Sequence, residues 1–268
     1  MREQWLSPSC FHKFFQDKQL VVQGRELLKT VNRSEHESSH SCGGGLGVRL
    51  KPFTQIIPKP LLPIGEKSML EIQIERLRKY GFTEIYLATN YKSDYIERFF
   101  GDGSAFNVKL TVSKEDKPLG TAGPLYLLRE QLDEPFIVMN GDILSLVDFG
   151  KLYEFALSRE SLLTLAIKKE ITPFDFGNIF FEGDAVTGIE EKPDIVMYIL
   201  AGIYVMKPGI FRFFPEEEFF GMDMLIRKML DESFPVSKYD LNDYWLDIGR
   251  VDDYYTAQKE YNSNFENP

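Results

Sequence analysis

Histidine and cysteine are scarce in this sequence, and both stop early. All three histidines and both cysteines lie in the first 42 of its 268 residues. From Gly43 to Pro268 the chain therefore cannot build a Ser-His-Asp or Cys-His catalytic group, a His/Cys zinc site, a haem site or an iron–sulfur cluster. Chemistry in this part must use carboxylates, Lys, Arg, backbone groups and oxygen-binding metals. Two distant cysteines make no disulfide framework, so we expect a reducing, cytoplasmic setting.

Long hydrophobic runs and a positive charge balance are also lacking. The longest uncharged apolar run, Ile195–Met206, has 12 residues, whereas a membrane-spanning helix needs about 20. The first residues contain no apolar core typical of a secretory signal. The formal net charge of −10 argues against a surface that binds nucleic acid or anionic lipid. We therefore expect neither a membrane nor a nucleic acid as a partner.

Short apolar strands alternate with helical segments along most of the chain. The runs Glu84–Asn90 and Phe136–Met139 are typical of buried strands, and helical patterns follow both. This alternation predicts an α/β fold with a doubly wound, mainly parallel, Rossmann-like sheet. The strand-rich segment Leu162–Met206 predicts a small antiparallel addition. We place one domain at 43–268 and treat 1–42 as an atypical N-terminal segment.

The segment Gly43–Gly65, GGGLGVRLKPFTQIIPKPLLPIG, has two features suited to a phosphate ligand. Its glycines let backbone N–H groups approach an anion closely, with Arg49 nearby, although a flexible linker has the same composition. The spacing matches neither G-x-G-x-x-G nor the P-loop. Lys59 stands between Pro58 and Pro60, which restrict the backbone and can aim the ammonium group at a phosphate.

These residues together resemble the N-terminal motif of the sugar-1-phosphate nucleotidylyltransferases, and the resemblance recurs in order to about Gln258. The segment LGTAGPL at 119–125 resembles the guanylyltransferases of mannose or heptose phosphates. The resemblance implies transfer of a nucleoside monophosphate from a nucleoside triphosphate, with GTP favoured, to a sugar 1-phosphate, releasing pyrophosphate. It implies Mg²⁺ as cofactor, and a homo-oligomer is left open.

Five further motifs carry the resemblance. They are Leu119–Gly123 (LGTAG), Asn140–Asp142 (NGD), Glu190–Pro193 (EEKP), Ala201–Tyr204 (AGIY) and Trp245–Gly249 (WLDIG). In isolation each has a plainer interpretation, such as a turn or a charged loop. The Asp of NGD follows an apolar strand, the place where ligands bind in parallel sheets.

The resemblance also implies roles for individual residues. The catalytic group would be Arg49, Lys59, Asp142 and Lys192. The nucleotide would lie against Gly44, Gly45, Gly47, Gly120, Thr121 and Gly123. The sugar phosphate would be held by Glu191, Lys192 and Gly202, and Mg²⁺ by Asp142 and Asp247.

Three departures from the family pattern stand out. Val48 replaces a usual Thr, and Leu200 replaces a usual Asn, so a phosphate contact and a sugar contact are lost. The third concerns the strand before the glycine loop, which should be buried on both faces and continuously apolar. The five residues directly before Gly43, Ser38–Cys42 (SSHSC), are polar instead. Either Gln19–Gln23 (QLVVQ) supplies a substitute strand, or a shifted reading frame or alternative start has replaced the N-terminus, and we favour the second hypothesis.

Two alternatives to an active nucleotidyltransferase remain open. A catalytically silent or regulatory relative that binds nucleotide sugars would explain Val48, Leu200 and the altered N-terminus. A metal-dependent glycosyltransferase would be expected to have an Asp-x-Asp metal site, and Asn140-Gly141-Asp142 lacks the first Asp.

Overall fold

The computed structural model describes residues 19–23, 57–89 and 93–266. The strands in these ranges are β1 (Gln19–Gln23), β2 (Pro63–Ile64), β3 (Lys67–Ser68), β4 (Glu84–Thr89), β5 (Lys109–Lys114), β6 (Phe136–Asn140), β7 (Ile143–Ser145), β8 (Leu163–Pro173), β9 (Asn178–Glu182), β10 (Ala185–Glu190), β11 (Asp194–Met206), β12 (Val236–Asp240) and β13 (Trp245–Asp247). The α-helices are α1 (Met69–Lys79), α2 (Ser93–Phe100), α3 (Phe149–Leu157), α4 (Met222–Asp231) and α5 (Val251–Tyr261).

Seven strands form the main sheet, in the order β12-β8-β11-β6-β1-β4-β5. The pairs β4–β5 and β12–β8 are parallel. Strand β1 is antiparallel to both of its neighbours, and so is β11. Five of these seven strands therefore run in one direction. The expected α/β, Rossmann-like architecture with an antiparallel addition is confirmed.

An interior position of the sheet, between β6 and β4, is occupied by β1, the segment QLVVQ. Leu20, Val21 and Val22 are completely buried. Because side chains alternate along a strand, Leu20 and Val22 join the core on one face, and Val21 joins the core on the other. Gln19–Gln23 is thus the substitute strand considered above. Ser38–Cys42 lies outside the described residues, and the hypothesis of an altered N-terminus stays a prediction.

Helices cover both faces of the sheet. Apolar side chains of α1, α2 and α3 pack on the face that contains Leu20 and Val22. Helix α4 and two 3-10 helices, Gly123–Leu128 and Pro208–Phe213, pack on the opposite face. Helix α1 begins with a capping box, in which the Ser68 hydroxyl and the Glu71 carboxylate each accept a backbone N–H of the other residue. No helix of the described ranges is long and apolar enough to cross a membrane.

The long strands β8 and β11 continue past the edge of the main sheet. Their pairing runs without interruption from Ile167 and Leu200 to Pro173 and Asp194. Hairpin β9–β10 lies between them in the chain. We call residues 168–200 the ribbon. Most of its side chains are exposed, and the large apolar ones include Ile171, Phe176, Ile179, Phe181, Val186, Ile189, Val196, Met197 and Tyr198.

Candidate active site

Lys59 and Asp142 form a buried ion pair. Lys59 Nζ lies 2.5 Å from Asp142 Oδ2, and the two side chains are only 6% and 9% exposed. Lys59 begins the 3-10 helix Lys59–Leu61, and its backbone carbonyl accepts a hydrogen bond from Leu62 N. Burying two charges is costly unless each compensates the other. The flanking prolines and this short helix therefore hold the ammonium group against one carboxylate.

Asp142 stands where β6 ends, after Asn140 and Gly141. Its backbone carbonyl accepts a hydrogen bond from Ile248 N at 2.9 Å. Strand β13 pairs with β7, so that Asp247 is opposite Ile143. The structure thus brings the two predicted metal ligands onto neighbouring segments at the carboxyl end of β6. The Gln73 side chain donates to the Ile143 carbonyl and ties this region to α1.

Gly202 packs directly against the NGD segment. It has a φ of +67°, and a Cβ built on it would lie 2.9 Å from Asn140 Nδ2. The indole N–H of Trp245 donates to the neighbouring Ala201 carbonyl at 2.7 Å. Three motifs distant in the chain, NGD, AGIY and WLDIG, therefore meet at one place. Burial raises the pKa of Tyr204, so the Tyr of AGIY is a neutral core residue.

The predicted base loop, Leu119–Gly123, is fixed to the segment before α4. The backbone N–H groups of Ala122 and Gly123 both donate to the Phe220 carbonyl at 2.9 Å. Gly120 has a φ of +82°, and a Cβ there would lie 2.8 Å from the same oxygen. The Thr121 hydroxyl accepts the backbone N–H of Met222 at 2.8 Å. The contacts of this loop with a nucleobase stay a prediction.

Glu191 and Lys192 lie on the ribbon, between β10 and β11. Lys192 is exposed and has a φ of +47°, a left-handed conformation that is uncommon outside glycine and often found at functional sites. Strand β11 is extended and paired with β8 from Asp194 to Leu200, a length of roughly 20 Å at about 3.3 Å per residue. The contacts of Glu191 and Lys192 with a sugar phosphate stay a prediction.

Four predicted residues, Gly44, Gly45, Gly47 and Arg49, lie outside the described residues.

Two polar side chains that the sequence did not point to lie at the same end of the strands as Asn140. Gln19 pairs with both Ala88 and Asn140, and Thr89 ends β4. The amide atoms of Gln19 and the Thr89 hydroxyl are buried without a hydrogen-bond partner among the described residues. The only sequence signal was a glutamine flanking an apolar run.

Comparisons with known proteins identify the family. The family model described as nucleotidyl transferase matches residues 42–264. A rice (Oryza sativa subsp. japonica) protein named "Probable mannose-1-phosphate guanylyltransferase 1" is 35% identical over 234 residues, covering 81% of this chain and 63% of the relative. The chain thus spans about 63% of that relative's length.

Solved structures show the same fold. The crystal structure of HddC from Yersinia pseudotuberculosis superposes with a TM-score of 0.63 at 30% identity, covering 81% of this chain and 96% of that one. The structure of HddC complexed with GMP-PN gives a TM-score of 0.62 at 29% identity, with the same coverage.

Proposed function

The chain belongs to the nucleotidyl transferase family, and on that premise we propose that it transfers a nucleoside monophosphate from a nucleoside triphosphate to a sugar 1-phosphate. The observation that carries this proposal is the buried Lys59–Asp142 pair at the carboxyl end of β6. Ligands of open α/β sheets bind beyond the carboxyl ends of the strands. A cation and a carboxylate held there suit a polyphosphate substrate.

The proposed reaction suits a site whose described residues include no histidine. An ionised phosphate oxygen of the sugar 1-phosphate attacks the α-phosphorus of the triphosphate, a new P–O bond forms, and the bond to the bridging oxygen breaks as pyrophosphate leaves. The nucleophile is already charged, so no general base is required. What the protein must supply is alignment and neutralisation of negative charge. Lys59 supplies positive charge, and Arg49 and Lys192 are proposed to add to it.

The donors near Asp142 fit a magnesium ion. Mg²⁺ in nucleotide sites is held by one or two carboxylates, substrate phosphates and water. Asp142 and Asp247 would be the two carboxylates, because hydrogen bonding joins their segments. The described residues contain no group of three or more potential His, Cys, Asp or Glu ligands, so phosphate oxygens and water would complete the shell. When bound, the ion would neutralise charge on the phosphates.

Guanine and a mannose-type or heptose-type sugar are the proposed specificity. Support comes from a relative named as a mannose-1-phosphate guanylyltransferase and from a similar structure complexed with GMP-PN. The loop Leu119–Gly123 is proposed to contact the base. Glu191, Lys192 and Gly202 are proposed to contact the sugar phosphate.

Pyrophosphate release tests this proposal. The purified chain is assayed with Mg²⁺ and each nucleoside triphosphate against a panel of sugar 1-phosphates, and we expect the highest rate with GTP and mannose 1-phosphate or a heptose 1-phosphate. A different preferred base would overturn the guanine assignment only. Binding of nucleotide sugars without turnover by any pair would instead identify a silent relative. The contact of Lys59 with an oxygen of Asp142 is compatible with that alternative too.

A further inference from the structure

The ribbon exposes apolar side chains on both of its faces. Residues paired across an antiparallel ladder share a face, and successive residues alternate. Val196, opposite Ile171, and Tyr198 therefore lie on one face, and Met197 lies on the other. Tyr198 is 63% exposed and Met197 is 46% exposed. Both faces of the ribbon therefore offer apolar surface that a partner can cover.

The exposed apolar area has the size of an interface. The large apolar side chains of the ribbon include Phe176, Phe181, Val186 and Ile189, each at least 67% exposed. At roughly 150–250 Å² per aromatic side chain, the large apolar side chains of the ribbon expose on the order of 1,000 Å², summed over both faces and over β8 to β11. The largest apolar patch of a typical monomer is about 300–600 Å², and each partner of a standard interface buries about 800 Å².

The two outer edges of the ribbon differ in charge. Past Ile167, the edge of β8 carries Lys168, Lys169 and Glu170, the kind of residue that prevents an exposed strand from pairing with another chain. The edge of β11 is uncharged from Ile195 to Leu200. Among the described residues, β11 pairs on this side with β6 only from Ile203 to Met206. Within the described residues, the β11 edge is therefore unpaired and uncharged from Ile195 to Leu200.

We propose that a second copy of this chain pairs with the β11 edge, antiparallel, about a two-fold axis through Met197. This centre is the midpoint of Asp194–Leu200, the part of β11 that pairs with β8 without interruption. Ile195 then lies opposite Ile199 of the partner subunit, Val196 lies opposite Tyr198 of the partner subunit, and the Asp194 carboxylates stay at the two ends. An isologous contact of this kind closes as a dimer. The proposal is independent of the catalytic assignment, because it concerns surface and mass only.

Sedimentation velocity on the full chain tests the proposal. We expect twice the monomer mass of 31.0 kDa. Met197→Lys places two ammonium groups face to face at the axis, so this variant should sediment as a monomer. The matched control is Leu230→Lys on α4, which is 57% exposed and lies outside the ribbon, and it should remain a dimer. Circular dichroism verifies that both variants are folded.

A cysteine cross-link tests the register without adding charge. In a chain carrying Cys10→Ser and Cys42→Ser, Met197→Cys should form an intermolecular disulfide on mild oxidation, because residues paired at the axis have Cβ atoms about 4.5–5.5 Å apart. Leu230→Cys should not. A wild-type monomer at all concentrations, or a dimer that survives Met197→Lys with no cross-link at 197, would overturn the proposal. So would a monomer whose β11 amides are protected from hydrogen exchange, which would show that another segment of the chain covers the edge.

Discussion

At the scale of single residues, the site depends on one buried pair of opposite charges. The side chains of Lys59 and Asp142 are both more than 90% buried. Each charge compensates the desolvation cost of the other. A pair of this kind is destabilising to break and far less so to replace as a whole. The two residues are thereby linked in stability as well as in their proposed roles.

Asp142→Asn should therefore damage both activity and stability. We expect turnover to be lost and the free energy of unfolding to fall by about 3–5 kcal/mol, because Lys59 stays buried without a counter-charge. Pyrophosphate release and urea denaturation measure the two effects. The double variant Lys59→Met/Asp142→Leu should recover most of the stability while remaining inactive. Full Mg²⁺-dependent turnover in Asp142→Asn would contradict the assignment of Asp142.

Gly202 provides a second prediction at this scale. Gly202→Ala combines an unfavourable positive φ with a contact 2.9 Å from Asn140 Nδ2, so we expect it to lower the free energy of unfolding by about 2–4 kcal/mol. Gly183→Ala is the matched control. Gly183 has a φ of +60° with nothing within 4 Å of the added Cβ, so only the backbone penalty of about 1–2 kcal/mol remains. Equal losses in urea denaturation would refute the close packing against Asn140.

At the scale of elements, the base loop and α4 form one unit. The Phe220 carbonyl accepts hydrogen bonds from the backbone N–H groups of Ala122 and Gly123 in the loop. The Phe220 N–H donates in turn to the Leu119 carbonyl at 2.8 Å. Two residues later α4 begins. The start of this helix therefore positions the loop that is proposed to bind the base.

Thr121→Val tests this connection. The substitution removes the hydroxyl that accepts Met222 N–H, so we expect the free energy of unfolding to fall by about 1–2 kcal/mol. The control is Thr256→Val on α5, whose hydroxyl donates to the Asp252 carbonyl at the surface and should matter little. Thermal and urea denaturation report both changes. A neutral Thr121→Val would show that α4 does not need this cap.

At the scale of the whole molecule, β1 joins two parts of the main sheet, the four strands from β12 to β6 and the pair β4–β5. It pairs with β4 on one side and β6 on the other, although it lies far from both in the chain. Its apolar side chains reach the cores on both faces. The segment before Gly43 thus takes part in the fold.

Leu20→Ala should consequently be costly. Leu20 is fully buried, so its truncation should lower the free energy of unfolding by about 2–5 kcal/mol. Leu230→Ala, at an exposed position of α4, should change stability by less than about 0.5 kcal/mol. Urea denaturation of the two variants makes the comparison. Similar small effects would mean that QLVVQ is not in the sheet.

Much of the architecture and several site residues were predictable from local pattern. The apolar strand Phe136–Met139 followed by Asn140-Gly141-Asp142 predicted a carboxylate at a strand end, and the structure places Asp142 there. The prolines around Lys59 predicted an ammonium group aimed at a phosphate; Lys59 contacts Asp142, and its contact with a phosphate stays a prediction. These features depend on neighbouring residues, whose conformational preferences act over a few positions of the chain.

The residues alone establish the α/β fold class, the family, and a site chemistry without histidine or cysteine after Gly43. Only the tertiary structure shows that Gln19–Gln23 runs antiparallel between β6 and β4, that the Lys59 ammonium contacts Asp142, and that Lys192 lies on an exposed ribbon. The physical reason is that strand direction, ion pairing and burial result from competition among contacts between distant segments. A run such as QLVVQ is equally apolar in either direction, and its neighbours in the sheet decide which one it takes.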